Sequence, residues 1–184
     1  DITALGTFTA KVFDVDSPLP MGTSNPDPEE MRDGFYPPFD GTDSNQEWAT
    51  AHWDEFIVPD KGGEDWVGYE FASDHEFAGL LFQEGRLYGG LGGWWNSISV
   101  QVRRGGDWID VPGAAAEPAY PADVFRTFEL FEYRFDPIAG DGIRLYGIPG
   151  GSLQFVTIGE LRVLAVPSVP VTAPTNYTAT VEVT

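Results

Sequence analysis

An all-β domain, built as an antiparallel β-sandwich or jelly roll, is the fold class predicted by three features of this sequence. Gly and Pro are frequent, 22 and 15 among 184 residues, which breaks the chain too often for long helices. No long segment keeps a 3.6-residue apolar period between those breaks. Between the breaks lie short runs rich in Val, Ile, Phe, Tyr and Thr, and some of them alternate. In NSISVQVRR, Ile98, Val100 and Val102 share one face of a strand, while Ser97, Ser99, Gln101 and Arg103 share the other.

Taken in order, TALGTFTAKVFDV, from Thr3 to Val15, reads as an opening strand region. DSPLPMGTSNPDPEE is a loop by its turn-forming residues, and Asp33 to Phe56 is a second long irregular stretch. Loops of that length tend to be functional or pinned by an ion. WVGYEF, FAGLLFQEG, NSISVQVRR, DWIDV, FRTFELFEYRF, GIRLYGIPG and FVTIGELRVLA then read as strands, giving about seven to nine in all. Gly105-Gly106 in RRGGDW supplies the positive φ angles of a hairpin turn. Residues 1–165 are expected to form one domain. The Pro/Thr/Val-rich stretch 166–184 is expected to be a linker or the start of a following domain.

The charge narrows the choice of partners. Ten Lys and Arg stand against 29 Asp and Glu, a formal charge of -19 that repels phosphate backbones and anionic membranes. Neither nucleic acid nor a membrane is therefore an expected partner. The same carboxylates suit a hard cation such as Ca2+. With no cysteine, disulfides, thiolate nucleophiles and Cys-based zinc sites are excluded, and two histidines are too few for a His-rich zinc site. No apolar run approaches the roughly 20 residues that span a bilayer. The start, DITALG, lacks a signal core, so the chain is expected to be a piece of a larger protein. It carries no G-x-S-x-G, H-E-x-x-H or P-loop pattern, and GGLGG leads into a strand without the Lys-Ser/Thr ending of a phosphate cradle. The expectation is a protein that is not an enzyme.

One loop has the ingredients of a sugar site, which pairs an aromatic platform with a few orienting polar groups. In FQEGRLYGGLGGWW, Tyr88, Trp94 or Trp95 can stack on a ligand, and Gln83, Glu84, Arg86 and Asn96 can hydrogen-bond to it. Adjacent residues at the mouth of a strand face opposite sides, so one of Trp94 and Trp95 is expected in the core and the other at the loop. Trp66 and Trp108 lie in strand-like text and are expected in the core.

Three pieces, MRDG at Met31–Gly34, GGWWNSISVQVRRGGDWIDV at Gly92–Val111, and GDGIRLYGIPGG with IGELRVL between Gly140 and Leu164, together resemble a known family. It is the discoidin-like, or coagulation factor 5/8 type C, domain family of the galactose-binding-like superfamily. The resemblance is closest to modules appended to secreted bacterial polysaccharide-degrading enzymes. It implies a ligand site on the loops at one end of the sandwich, which brings Trp48, His52 and Trp53 of the first long loop towards the same pocket. It also implies a structural calcium held by Asp33 and Glu160, with Asp40, Thr42 and Asp43 in a longer loop than the usual pattern. Arg144 is implied to support the fold. The function implied is a secreted, non-catalytic carbohydrate-binding module that holds an attached enzyme on polysaccharide. The alternative is a structural or adhesive module that packs against a neighbouring domain and binds no sugar.

Overall fold

The computed structural model describes residues 1–11, 27–36, 63–120 and 127–167, and the backbone of 48–49. In chain order the strands are β1 (Thr7–Ala10), β2 (Trp48–Ala49), β3 (Asp65–Glu84), β4 (Trp95–Arg104), β5 (Asp107–Asp110), β6 (Ala115–Glu117), β7 (Leu130–Pro149) and β8 (Thr157–Ala165). The described residues contain only two helical turns, both 3-10, at Thr3–Leu5 and Pro28–Met31. The turn Thr3–Leu5 shortens the opening strand expected from Thr3 onwards. Gly105 and Gly106, at φ 61° and 92°, close the β4–β5 hairpin.

Two pairs of expected strands prove to be single long ones. WVGYEF and all of FAGLLFQEG but its last glycine belong to β3, and the LFEYRF of FRTFELFEYRF and the GIRLYGIP of GIRLYGIPG both belong to β7. β3 and β7 pair antiparallel along their length, with two breaks in register. Phe71–Asp74 of β3 stand opposite Asp141 alone, and Phe135–Pro137 of β7 stand opposite Ala78 alone. Bulges of this kind bend a strand and increase its twist. Pro137, which has no N–H to give to a ladder, falls in the second one.

The bends carry both strands into two layers. One layer runs β1-β3-β7-β4-β5, using the first part of β3 and the last part of β7. The other runs β2-β8-β3-β7-β6, using the remaining parts. Val67, Tyr69, Val100, Val102, Ile143 and Leu145 line the core from the first layer, and Leu80, Phe82, Phe131, Tyr133, Leu161 and Val163 from the second. Tyr69 ties the layers together, its hydroxyl donating to the Leu161 carbonyl at 3.1 Å.

Phe131 sits at the centre of this packing, stacked on Phe82 at 6.0 Å and meeting Tyr120 edge-on at 4.8 Å. Phe131→Ala is expected to cost about 3–5 kcal/mol in a urea titration, since the surrounding sheet cannot collapse into the space.

Candidate functional site

Two connections cross between the layers side by side at one end of the sandwich. Residues 85–94 run from β3 to β4, and residues 150–156 run from β7 to β8. Their backbones interlock. Gly93 N–H donates to Phe155 O at 2.9 Å, Leu153 N–H to Leu91 O at 2.9 Å, Ser152 N–H to Gly90 O at 3.0 Å and Gly150 N–H to Trp94 O at 2.7 Å. The Thr157 hydroxyl donates to Arg86 O at 2.8 Å. The glycines make this closeness possible. A Cβ on Gly150 would lie 2.0 Å from Trp94 Nε1, and Gly93, at φ 114°, has no room for one beside Arg86 O at 2.7 Å.

The adjacent tryptophans part at this point. β4 and β7 lose register between Trp95 and Ser97, because Asn96 is one residue too many. Strict alternation back from Val102, Val100 and Ile98 would turn Trp94 inward. The bulge at Asn96 reverses that, so Trp95 is fully buried and Trp94 is half-buried at the loop. Trp94 lies on Gly150 with its Nε1 donating to Asn96 Oδ1 at 3.3 Å, and Asn96 Nδ2 donates to Pro149 O at 3.4 Å. Tyr88 packs against Phe155 at 5.7 Å, with the Arg86 guanidinium 5.6 Å from its ring centre. Both outer rings therefore rest on the same β7–β8 connection, beside a guanidinium and an exposed amide.

The structure removes three residues from the expected ligand set, one of them Gln83, which is 4% exposed with its Nε2 donating to Phe128 O at 2.9 Å. Trp95 belongs to the core, and Glu84 is 1% exposed, pointing inward with Leu80 and Phe82 as strand alternation requires. Glu84 Oε1 accepts from the Tyr120 hydroxyl, whose oxygen accepts from Trp95 N–H at 2.8 Å. Burial pushes the Glu84 carboxyl up to about 8, against the pull of the Tyr120 hydrogen bond and with a further push from Glu129. Tyr120 is a residue that sequence reasoning missed, and nothing in its surroundings, EPAYPAD, marked it out. Trp66 and Trp108, expected in the core, stand half-buried on the outer face of the first layer. Of the remaining ligand candidates, Trp48 is described only as the backbone of β2, paired with Ile158 at the same end, and His52 and Trp53 lie outside the described residues.

Asp33 and Glu160 come near one another. Glu160 is fully buried on β8, and its Oε1 accepts from Gly34 N–H at 3.1 Å and from Arg162 Nη1 at 2.9 Å. Burial raises its carboxyl to about 7, the Arg162 hydrogen bond and charge oppose this, and the Asp33 charge adds a smaller push. Glu160 Oε2 is buried with no hydrogen-bond partner among the described residues. No group of three or more His, Cys, Asp or Glu side chains fit to hold a metal occurs among the described residues, and Asp40, Thr42 and Asp43 lie outside them.

No family model and no curated protein matches this sequence. Its fold is that of the family 32 carbohydrate-binding modules, the discoidin-like galactose-binding β-sandwich. A structure of the Streptococcus pneumoniae β-galactosidase BgaA superposes with a TM-score of 0.59 at 15% identity, covering 89% of this chain and 94% of that one. A Clostridium perfringens family 32 module, solved with GalNAc-β-1,3-galactose, gives 0.57 at 15% identity over 89% and 97%. The family 32 module of NanJ from the same organism, solved with galactose, gives 0.55 at 15% identity over 88% and 94%.

The raised Glu84 carboxyl has a pH signature. Its folded value of about 8 exceeds the ordinary 4.5, so unfolding releases a proton between those values and stability falls as pH rises through that window. Glu84→Gln, which cannot ionise, is expected to melt higher than the parent at pH 8.5, with the advantage shrinking towards pH 5. Thermal melts across that range check it, and a difference independent of pH would contradict the buried-acid assignment.

Proposed function

We propose that this chain is a non-catalytic carbohydrate-binding module that holds an attached enzyme on polysaccharide outside the cell. The observation that carries the reading is the half-buried Trp94 at the end of the sandwich, set on a loop whose backbone is already locked. The Tyr88 ring, the Arg86 guanidinium and the Asn96 amide belong to the same loop end. Such a surface offers an apolar plane for sugar C–H groups and donors and acceptors for hydroxyls, with little ordering cost on binding. Solved structures of the same fold include modules captured with galactose and with GalNAc-β-1,3-galactose, which supports a sugar as ligand. Attachment to an enzyme makes modest affinity sufficient, since tethering raises the effective concentration at the substrate.

The test is tryptophan fluorescence titrated with galactose, GalNAc-containing disaccharides and soluble polysaccharides. Trp94→Ala is expected to weaken the tightest of these by about tenfold, or about 1.4 kcal/mol, with Trp95→Phe leaving affinity nearly unchanged. A folded parent protein that responds to none of them would refute the reading.

A structural calcium belongs to the same proposal, held by Asp33 and Glu160 together with oxygens of the loop that carries Asp40, Thr42 and Asp43. The unpartnered buried Oε2 of Glu160 supports it, because a buried carboxylate oxygen calls for a donor or a cation. Arg162 already supplies one positive charge there, so calcium binding has to coexist with that pair. At a calcium concentration a hundred times the Kd, linkage adds about 2.7 kcal/mol of stability, or about 5–10 °C in Tm for a domain of this size. Melting with calcium and with EGTA, for the parent and for Glu160→Gln, checks this. Equal melting temperatures under both conditions would remove the calcium.

A further inference from the structure

A second aromatic assembly lies away from the loop end, on the outer face of the layer β1-β3-β7-β4-β5. Trp66, Arg144, Tyr146 and Trp108 alternate with the core residues Val67, Ile143 and Leu145 and therefore point outward, each half-buried. The register sets them in rows. Trp66 stands beside Tyr146 and Tyr146 beside Ser99, while Arg144 stands beside Gln101 and Gln101 beside Asp110.

The Arg144 guanidinium is clamped among three rings, 4.2 Å from the centre of Trp108, 5.0 Å from Trp66 and 5.1 Å from Tyr146. Its Nε donates to Gln101 Oε1 at 2.8 Å. Its two terminal nitrogens find no acceptor among the described residues, and neither do the indole nitrogens of Trp66 and Trp108. The contrast is Arg103 on the same face, which is saturated by Glu70 at 2.6 Å and Asp141 at 2.8 Å. Alongside Tyr146 opens a cavity of about 370 Å3, lined by Glu64, Ser97, Ser99 and Ile148.

We propose that this outer face is a second carbohydrate-binding surface, separate from the loop end, that takes a neutral polysaccharide chain across the rows from β3 to β5. Three properties select that ligand. The face presents rigid rings together with a surplus of fixed N–H donors, and a glycan brings C–H faces and many oxygen acceptors. Glu64, Asp110, Glu70 and Asp141 stand against Arg144, Arg103 and the Lys11 ammonium over Trp66, so the donors come without net positive charge and a polyanion gains nothing. Three strand spacings cover about 14 Å, which suits a chain better than a single sugar ring. A second copy of this protein is disfavoured as the occupant, because each copy brings a charge of -19.

The experiment is affinity gel electrophoresis of the full chain in galactomannan, xylan and mixed-linkage β-glucan, beside calorimetry with galactose. Trp94→Ala, which removes the loop platform, is expected to keep its retardation by at least one of the three polysaccharides. Adding Trp108→Ala is expected to weaken that retardation tenfold or more. Ser97→Arg, which obstructs the cavity and leaves the Arg144 clamp intact, is expected to do the same, with circular dichroism showing all variants folded. The proposal is overturned if the parent is retarded by none of the polysaccharides, if Trp94→Ala alone abolishes retardation, or if Trp108→Ala and Ser97→Arg bind polysaccharide as the parent does. A change in oligomeric state on gel filtration, with polysaccharide binding unaltered, would likewise overturn it in favour of contact between copies.

Discussion

Everything in this structure depends on the pairing of β3 with β7, and on the fact that this pairing bends twice. At the first bend the surplus residues belong to β3, at the second to β7. Because the excess changes sides, pairing resumes on both sides of the bends and neither strand is lost to the sheet. A flat ribbon of the same two strands would leave its apolar face exposed, since an isolated pair is marginal in water. Folded across the bends, the same residues face each other as two layers, and the core closes between Tyr69, Phe82 and Phe131. The connections leaving the two strands must then cross the gap between layers together. That is why the β3–β4 and β7–β8 loops lie against one another and lock.

The alternation of Ile98, Val100 and Val102, the hairpin at Gly105-Gly106 and the glycine-aromatic loop were legible in the sequence, because each is a local pattern. The identity of the outward tryptophan was not. It is decided by one extra residue at Asn96, and a bulge is a relation between two strands that no period along one strand records. Glu84 was misread although its pattern was available, since FAGLLFQE places it on the face of Leu80 and Phe82. Its charge argued for the surface and its position for the core, and the position won. Trp66 and Trp108 erred the other way. Their size argued for burial, while alternation with Val67 and pairing with Arg103 set them outside. In each case the period of the strand was a better guide than the hydrophobicity of the residue.

The acidity of the chain makes its few cations informative. Arg32 pairs with Glu29, Arg134 with Glu132, and Arg162 with both Asp1 and Glu160. With 29 acidic side chains available, an arginine held by three rings and a glutamine amide, with no carboxylate paired to it among the described residues, is a distinct arrangement. Three aromatic faces stabilise the charge of Arg144 through their quadrupoles, each by about 0.5–2 kcal/mol depending on desolvation, without consuming its N–H groups. Carboxylates would have used those donors. Burial lowers the Arg144 pKa from its ordinary value, but a guanidinium stays charged at any physiological pH. The rings and the Gln101 contact at Nε thus fix the group in place and leave its two terminal nitrogens open to solvent or ligand.

The bulge that turns Trp94 outward creates a cost that the neighbouring residues meet. A bulge breaks the ladder, so the N–H of Trp95 enters an apolar interior with no strand carbonyl opposite, and an orphaned buried donor costs about 1–3 kcal/mol. Tyr120 supplies the acceptor, and its hydroxyl hydrogen then needs a partner of its own. Glu84 is that partner. An apolar residue in place of Glu84 would fill the space and strand the tyrosine, and through it the bulge. The raised carboxyl fits this role, because the neutral acid still accepts a hydrogen bond while avoiding most of the penalty of a buried charge. A residue whose chemistry suggests ligand contact therefore acts one layer beneath the site, by holding the backbone geometry that decides which indole faces out.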